Sequence, residues 1–242
     1  MHVMTDYFSI KPNTVHLWRI WMPDCIDQIP VLQTLLSDDE LARANRFYFA
    51  IHRERFIVAR GFLRKILHLY TQILPDKILF SYTERGKPDL LNNSSPLNFN
   101  VSHSGDMAIY ALTTAGEIGV DIEKVEPDYK ADLARRFFSE QEVAALEALP
   151  EEERYVAFYH VWSRKEALIK ALGEGLFAPL NEFSVSPTEK IENVSMTHAG
   201  KKFDYFVESF TAHPDYQSAF ATTQRVDNIS YWQWLDGKPV AW

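Results

Sequence analysis

Asp121, Glu123, Glu166 and Lys170 are residues of the types, at the spacings, that can handle a phosphate. Asp121 and Glu123 stand two apart in the run I-G-V-D-I-E-K-V, Ile118 to Val125. Side chains alternate along a strand, so both carboxylates face one side of it while Val120 and Ile122 face the other. Like charges held side by side repel, and a hard divalent cation such as Mg2+ between them removes the conflict. Mg2+ prefers oxygen ligands and usually takes only one or two protein carboxylates, leaving places for water and substrate phosphates. An isolated D-x-E also describes the wet face of an edge strand, and at this point both readings stand.

Glu166 and Lys170 lie in F-Y-H-V-W-S-R-K-E-A-L-I-K-A-L-G, Phe158 to Gly173. Trp162, Glu166 and Lys170 recur there at i, i+4 and i+8 along one side of a helix. Alone, Glu166 and Lys170 describe an ordinary surface ion pair; with the strand pair, they add a third carboxylate for a metal and a cation facing phosphates. His103 sits between Ser102 and Ser104, just before Gly105, in what reads as a loop whose backbone can approach a ligand closely. A Ser102 nucleophile is disfavoured: no G-x-S-x-G surrounds it, and adjacent residues of an extended chain point apart. A phosphate contact by His103 and the serine hydroxyls fits better, with a structural loop histidine as the alternative. Arg43, Arg46, Arg53, Arg55, Arg60, Arg64 and Lys65 fall in one short segment of a chain whose formal charge is -8. Such a concentration suits a compact anionic ligand, or a solvated helix face.

The elements that must hold these groups follow from periodicity and punctuation. Val15 to Met22 reads as a strand with Val15, Leu17 and Trp21 inward, closed by Pro23. Ser37 before Asp38, Asp39 and Glu40 is an N-cap signal for a helix running through Arg46. A longer helix is expected over Ala50 to Ile73, with Phe56, Phe62, Leu63, Ile66, Leu67 and Tyr70 on or near its buried stripe and Pro75 ending it. Ile78 to Tyr82 reads as a short strand, and Glu84 to Pro88 as a turn that leaves Lys87 available. An Asn92 to Pro96 loop leads to Met107 to Leu112 and Ile118 to Val125, which look like two strands joined by the Thr113 to Gly116 turn. Asp132 to Phe138 is a short amphipathic piece. Ser139-x-x-Glu142 is a capping box opening a helix that ends before Pro150, and Glu151 to Leu172 is a long helix stopped by Gly173 and Gly175. Phe183 to Ser186, Phe203 to Phe210, Gln217 to Thr222 and Ile229 to Trp234 read as strands of undetermined order.

The 242 residues, 46% hydrophobic and 14% aromatic, suffice for one large domain or two small ones. The acidic balance argues against broad nucleic-acid binding. No apolar run approaches membrane-spanning length, and Met1 to Thr14 lacks a basic start followed by an apolar segment, so a soluble cytoplasmic protein is expected. The single Cys25 allows no intramolecular disulfide and no cysteine zinc cluster, which leaves oxygen or histidine ligands for any metal.

A faint internal echo appears at an offset of 103 residues: Val15 falls on Ile118, Leu17 on Val120, Val58 on Val161, Ile66 on Ile169, and Phe80-Ser81 on Phe183-Ser184. Apolar coincidences are common, so residues alone leave duplication open. Gly86-Lys87-Pro88, Phe99-Asn100-Val101-Ser102-His103-Ser104-Gly105, Gly119-Val120-Asp121-Ile122-Glu123 and Trp162-Ser163-Arg164-Lys165-Glu166-Ala167 with Lys170 occur in the order and spacing of 4'-phosphopantetheinyl transferases. The chain resembles the surfactin-synthetase-activating type over roughly Ser37 to Ser186; Ala167 departs from it, where serine is common.

The resemblance implies an α+β fold of two pseudo-symmetric halves in one chain, residues 1–114 and 115–242, with the active site in the cleft between them and a monomeric enzyme. It implies transfer of phosphopantetheine from coenzyme A to a serine of an apo acyl or peptidyl carrier protein of fatty-acid, polyketide or nonribosomal-peptide synthesis, releasing 3',5'-ADP. Carried over by motif, Asp121, Glu123 and Glu166 hold Mg2+ on the diphosphate, and Glu166 is the general base. Lys170 stabilises or protonates the leaving phosphate. His103 contacts the 3'-phosphate, with Ser102 and the Gly86-Lys87-Pro88 turn near the nucleotide. Arg55 and Arg60 are placed by a looser match on coenzyme A phosphates.

Overall fold

The computed structural model describes residues 8–91, 96–173 and 179–242. In chain order these form β1 (Thr14–Trp21), a 3-10 turn (Met22–Gln28), α1 (Ile29–Gln33), α2 (Asp38–Ala44), α3 (Ala50–Thr71), a 3-10 turn (Pro75–Lys77), β2 (Phe80–Tyr82), β3 (Pro88–Leu90), β4 (Asn98–Ser104), β5 (Met107–Thr113) and β6 (Ile118–Lys124). There follow α4 (Ala131–Phe137), α5 (Glu140–Glu147), α6 (Glu151–Leu172), a 3-10 turn (Leu180–Glu182), β7 (Ile191–His198), β8 (Lys201–Phe210), β9 (Tyr216–Thr222), β10 (Asn228–Leu235) and β11 (Lys238–Ala241).

Two sheets result, ordered β11-β10-β1-β5-β4 and β6-β9-β8-β7, with β2 and β3 as a separate ribbon. Trp18 and Tyr110 of the first sheet pack against Phe62 and Ile66 of α3. Val207 and Ala219 of the second pack with Val161 and Leu168 of α6. Val15, Leu17, Ile109, Val120, Ile122 and Phe220 fill the space between the sheets. Burial of these large side chains away from water is the main favourable term holding the layers together.

The internal echo corresponds to a repeated topology. β1 pairs antiparallel with β5, and β5 with β4; β6 pairs antiparallel with β9, and β9 with β8. Each unit also has a short helix opened by a capping box, at Ser37 with Glu40 and at Ser139 with Glu142, before a 22-residue helix. Each capping glutamate is buried against a cation of that long helix. Arg64 donates to Glu40 at 2.8 Å and to the carbonyls of Pro75 and Ile78. Lys165 lies 2.8 Å from Glu142 and donates to the carbonyls of Leu180 and Phe183. The same clamp, with a different cation, ties helix, helix and following loop in both halves. Residues 228–241 return to the first sheet, where β10 runs parallel to β1.

Several elements differ from the sequence expectation. β5 and β6 do not pair with each other: β1 and β4 occupy both edges of β5, so the Thr113 to Gly116 turn passes the chain to the other sheet. His103 lies on strand β4 rather than in a loop, and Gly105 with Asp106 makes the tight turn to β5, Gly105 at φ +54°. α2 ends at Ala44 and α3 at Thr71, where Gln72 takes a left-handed φ of 63°, before Pro75 is reached. Phe183 to Ser186 is not a strand, because side chains take its backbone groups: Lys165 donates to the Phe183 carbonyl, and Val185 N donates to Glu142. Gly175 and most of the Asn92 to Pro96 loop lie outside the described residues.

Candidate active site

β4, the edge of the first sheet, lies beside β6, the edge of the second, and the site forms at this seam. α6 rests directly on β6 because Gly119 has no side chain: a Cβ there would stand 2.0 Å from the Ala167 carbonyl oxygen and 2.3 Å from the Ala171 nitrogen. This close approach carries Glu166 and Lys170 to the face of β6 that bears Asp121 and Glu123. Lys170 Nζ donates to Asp121 Oδ1 at 2.6 Å and to Ser102 Oγ at 2.9 Å, and Ser102 donates to the same Asp121 oxygen at 2.9 Å. Asp121 is 2% exposed, and its Oδ2 is buried with no hydrogen-bond partner. Glu123 accepts from Ser104 at 2.8 Å. β6 is thus an edge strand whose acidic face is covered, not wet.

The electrostatics follow from that cover. Burial pushes the Glu123 carboxyl up to about 7, and the Asp121 charge adds to it against the Ser104 hydrogen bond and Lys170. Burial likewise pushes Glu166 up to about 7, reinforced by Asp121 and Glu123 and opposed by Lys170. Asp121 is raised by burial, with Lys170 and Ser102 pulling the other way. From 4.5, the ordinary glutamate value, to about 7, the folded chain therefore keeps protons on Glu123 and Glu166 that the unfolded chain has released. Each raised carboxyl costs stability as pH rises through that window. Glu123→Gln removes one of them, so without divalent ions the variant's melting temperature should gain on the parent's between about pH 5 and pH 8. An unchanged difference across that range would contradict the buried, repelling pair.

Among the described residues no three histidine, cysteine or acidic groups stand as close together as metal ligands do. What fits a cation is the donor set: the orphaned Asp121 Oδ2, and two neighbouring carboxyls, Glu123 and Glu166, whose proton affinity the Asp121 charge raises further. An ion that takes one or two carboxylates and completes its shell with water and phosphate oxygens suits Asp121 and Glu123.

A cleft of ≈ 350 Å³ opens beside this cluster. It gathers Gly86, Lys87, Pro88, Ser102, His103, Glu166, Lys170 and Arg60, distant in the chain but all singled out from sequence, with Arg43, Phe56, Arg85, Asn100 and Tyr110 beside them. His103 is exposed on one side, yet crowding and the charges of Lys170, Arg43 and Arg55 lower its pKa, so the ring favours its neutral form until an anion arrives. Lys87 is not left available: its ammonium pairs with Glu117 at 3.0 Å and donates to the Ala171 carbonyl at the end of α6. Arg60 is 9% exposed and lies 3.3 Å from Glu40, with Nη1 buried and unpartnered. Arg55 is bound to Asp106 and does not line the cleft. Arg43, stacked 5.4 Å from the Phe56 ring, was visible only as part of the basic segment.

Comparison with known proteins agrees in kind with this geometry. Residues 19–115 match the family described as 4'-phosphopantetheinyl transferase, N-terminal, and residues 117–221 match the 4'-phosphopantetheinyl transferase superfamily. The 4'-phosphopantetheinyl transferase HetI of Nostoc sp. is 44% identical over 186 residues, covering 75% of this chain and 78% of HetI. The chain belongs to the 4'-phosphopantetheinyl transferase superfamily. The transferase Sfp of Bacillus subtilis is 32% identical over 186 residues, 77% of this chain and 81% of Sfp. Psf-1 of Bacillus pumilus, another 4'-phosphopantetheinyl transferase, is 32% identical over 195 residues, 81% of this chain and 82% of its own.

In this phosphopantetheinyl transferase the W-S-R-K-E-A segment has a double use. Arg164 and Lys165 point into the second half: Arg164 binds Glu192, Ser209 and the Lys190 carbonyl, and Lys165 forms the clamp with Glu142. Only Glu166 of the three charged residues faces the cleft. No helix among the described residues is long and apolar enough to cross a membrane.

Proposed function

We propose that the chain moves the 4'-phosphopantetheinyl group of coenzyme A onto a serine of an apo acyl or peptidyl carrier protein, with Mg2+, and releases 3',5'-ADP. The observation that carries this reading is a cleft that opens beside an acidic cluster: Glu166 lines it with Arg43 and Arg60, and Lys170, also in its wall, reaches Asp121, which shares one face of β6 with Glu123. Asp121 and Glu123 would hold the ion, which when bound supplies counter-charge to a diphosphate.

The residues of the chain divide the remaining work. Arg43 and the unpartnered nitrogen of Arg60 offer charge-assisted hydrogen bonds to phosphate oxygens, and His103 offers a ring N–H at the cleft mouth. Glu166, with a proton affinity near neutrality, takes the proton of the incoming serine hydroxyl. The serine oxygen then bonds to the phosphorus that bears the pantetheine arm. The bond from that phosphorus to the bridging oxygen breaks, and the electron pair leaves on 3',5'-ADP. Lys170 is the ammonium positioned to offset the negative charge gathering there. No nucleophile of the chain is needed, since the acceptor brings its own.

Incubation with coenzyme A, Mg2+ and an apo carrier tests the reading. A carrier heavier by one phosphopantetheinyl group on its serine is expected. Free phosphopantetheine with an unmodified carrier would instead mean that water is the acceptor, and unaltered coenzyme A would mean a binding module. Repeating the assay over a panel of carriers identifies the partner's pathway. The chain is expected to act as a monomer in the cytoplasm, its two halves supplying what two subunits otherwise would.

A further inference from the structure

β4 and β6 lie side by side, but no backbone ladder joins them: β4 pairs only with β5, and β6 only with β9. Three side chains at alternate positions of β4 cross the gap instead. Asn100 Oδ1 accepts from the Val120 N–H at 2.9 Å, Ser102 donates to Asp121 at 2.9 Å, and Ser104 Oγ donates to Glu123 Oε2 at 2.8 Å. Ser104 Oγ also accepts from the Lys124 N–H at 3.1 Å. A hydroxyl has a single hydrogen, so with Lys124 N–H on a lone pair the O–H is left aimed at the carboxylate. The first half of the chain thereby fixes the orientation of an acid that belongs to the second.

We propose that Ser104 is a positioning residue whose hydroxyl holds the Glu123 carboxylate beside Asp121 in the orientation a divalent cation requires, without itself touching cation or substrate. This rests on the reading of Asp121 and Glu123 as the cation's oxygen donors. Hydrogen bonds to ligating carboxylates are a recurrent support of metal affinity, and losing one typically weakens binding about 10–100-fold. The seam would then couple cation binding to the docking of the two halves.

The test is a titration of the full chain with Mn2+ alone, followed by the loss of the free-ion paramagnetic signal, for the parent, Ser104→Ala and Ser104→Thr. Ser104→Ala is expected to weaken Mn2+ about tenfold or more, with the metal-free melting temperature unchanged, and Ser104→Thr, which keeps the hydroxyl, to restore the parent's affinity. If Ser104→Ala melts lower, Ser104→Cys, which keeps the volume but only a weak donor, should show the same loss of Mn2+ at the parent's melting temperature. Parent-like Mn2+ affinity in a folded Ser104→Ala or Ser104→Cys overturns the assignment of Ser104. A parent that takes up no Mn2+ would overturn the cation reading itself.

Discussion

Glu166→Gln should leave a folded protein that loads a carrier about 10²–10⁴-fold more slowly, the range associated with a lost general base. The substitution keeps the shape of the side chain on α6 and removes only the group that can accept the serine's proton. Glu166 is raised to about 7 by burial and by the charges of Asp121 and Glu123, so its ionised form is resisted by the fold. The glutamine variant should therefore be no less stable than the parent, and more stable above about pH 7, where the parent must carry the extra charge. Single-turnover loading and a melting curve on the same sample check both halves of the statement. Loading within tenfold of the parent would remove Glu166 from the chemistry.

Gly119→Ala should damage the enzyme by a different route. The added methyl meets backbone of α6 at 2.0 and 2.3 Å, not the yielding end of a side chain, so the helix itself has to move. Overpacking of this kind costs about 1–3 kcal/mol, occasionally more. Because Glu166 and Lys170 ride on α6, the displacement also separates them from Asp121. A misplacement of about 1 Å is enough to cost roughly 10²-fold in rate. A lowered melting temperature together with a loading rate reduced about 10²-fold is expected, with the Lys170–Asp121 contact of 2.6 Å lengthened in a structure of the variant. An alanine variant with parental rate and stability would show that α6 does not need to lie on β6 as closely as it does.

The two glycine-led features were unequally legible. Gly105 reads from sequence as a loop position of close ligand approach, whereas it stands in the two-residue turn between β4 and β5; Gly119 stands out only as part of a motif, since a close approach between strand and helix has no signature in either segment alone. The row Asn100, Ser102, Ser104 was hidden by polarity. N-V-S-H-S lacks the apolar alternation that marks a strand, so His103 reads as a loop residue; as a strand, the same letters place all three polar side chains on one face. β5 and β6 look like a hairpin in sequence for the opposite reason. Both runs are apolar and a turn separates them, but β5 is buried on both faces and already flanked on both edges.

What the sequence determined by itself was local and chemical: the two long helices, the N-cap at Ser37 and the capping box at Ser139, the pairing of Asp121 with Glu123 on one side of a strand, and the family. These depend on period, on cap chemistry and on motif order, all of which act over a few residues. Tertiary structure alone decided which cations are spent on the fold and which face the cleft. Arg60, Arg64, Arg164, Lys165 and Lys170 are alike in type, yet Arg64, Arg164 and Lys165 are buried in clamps while Arg60 and Lys170 line the site. A charged side chain takes its role from the partners that desolvate it, and those partners arrive from distant parts of the chain.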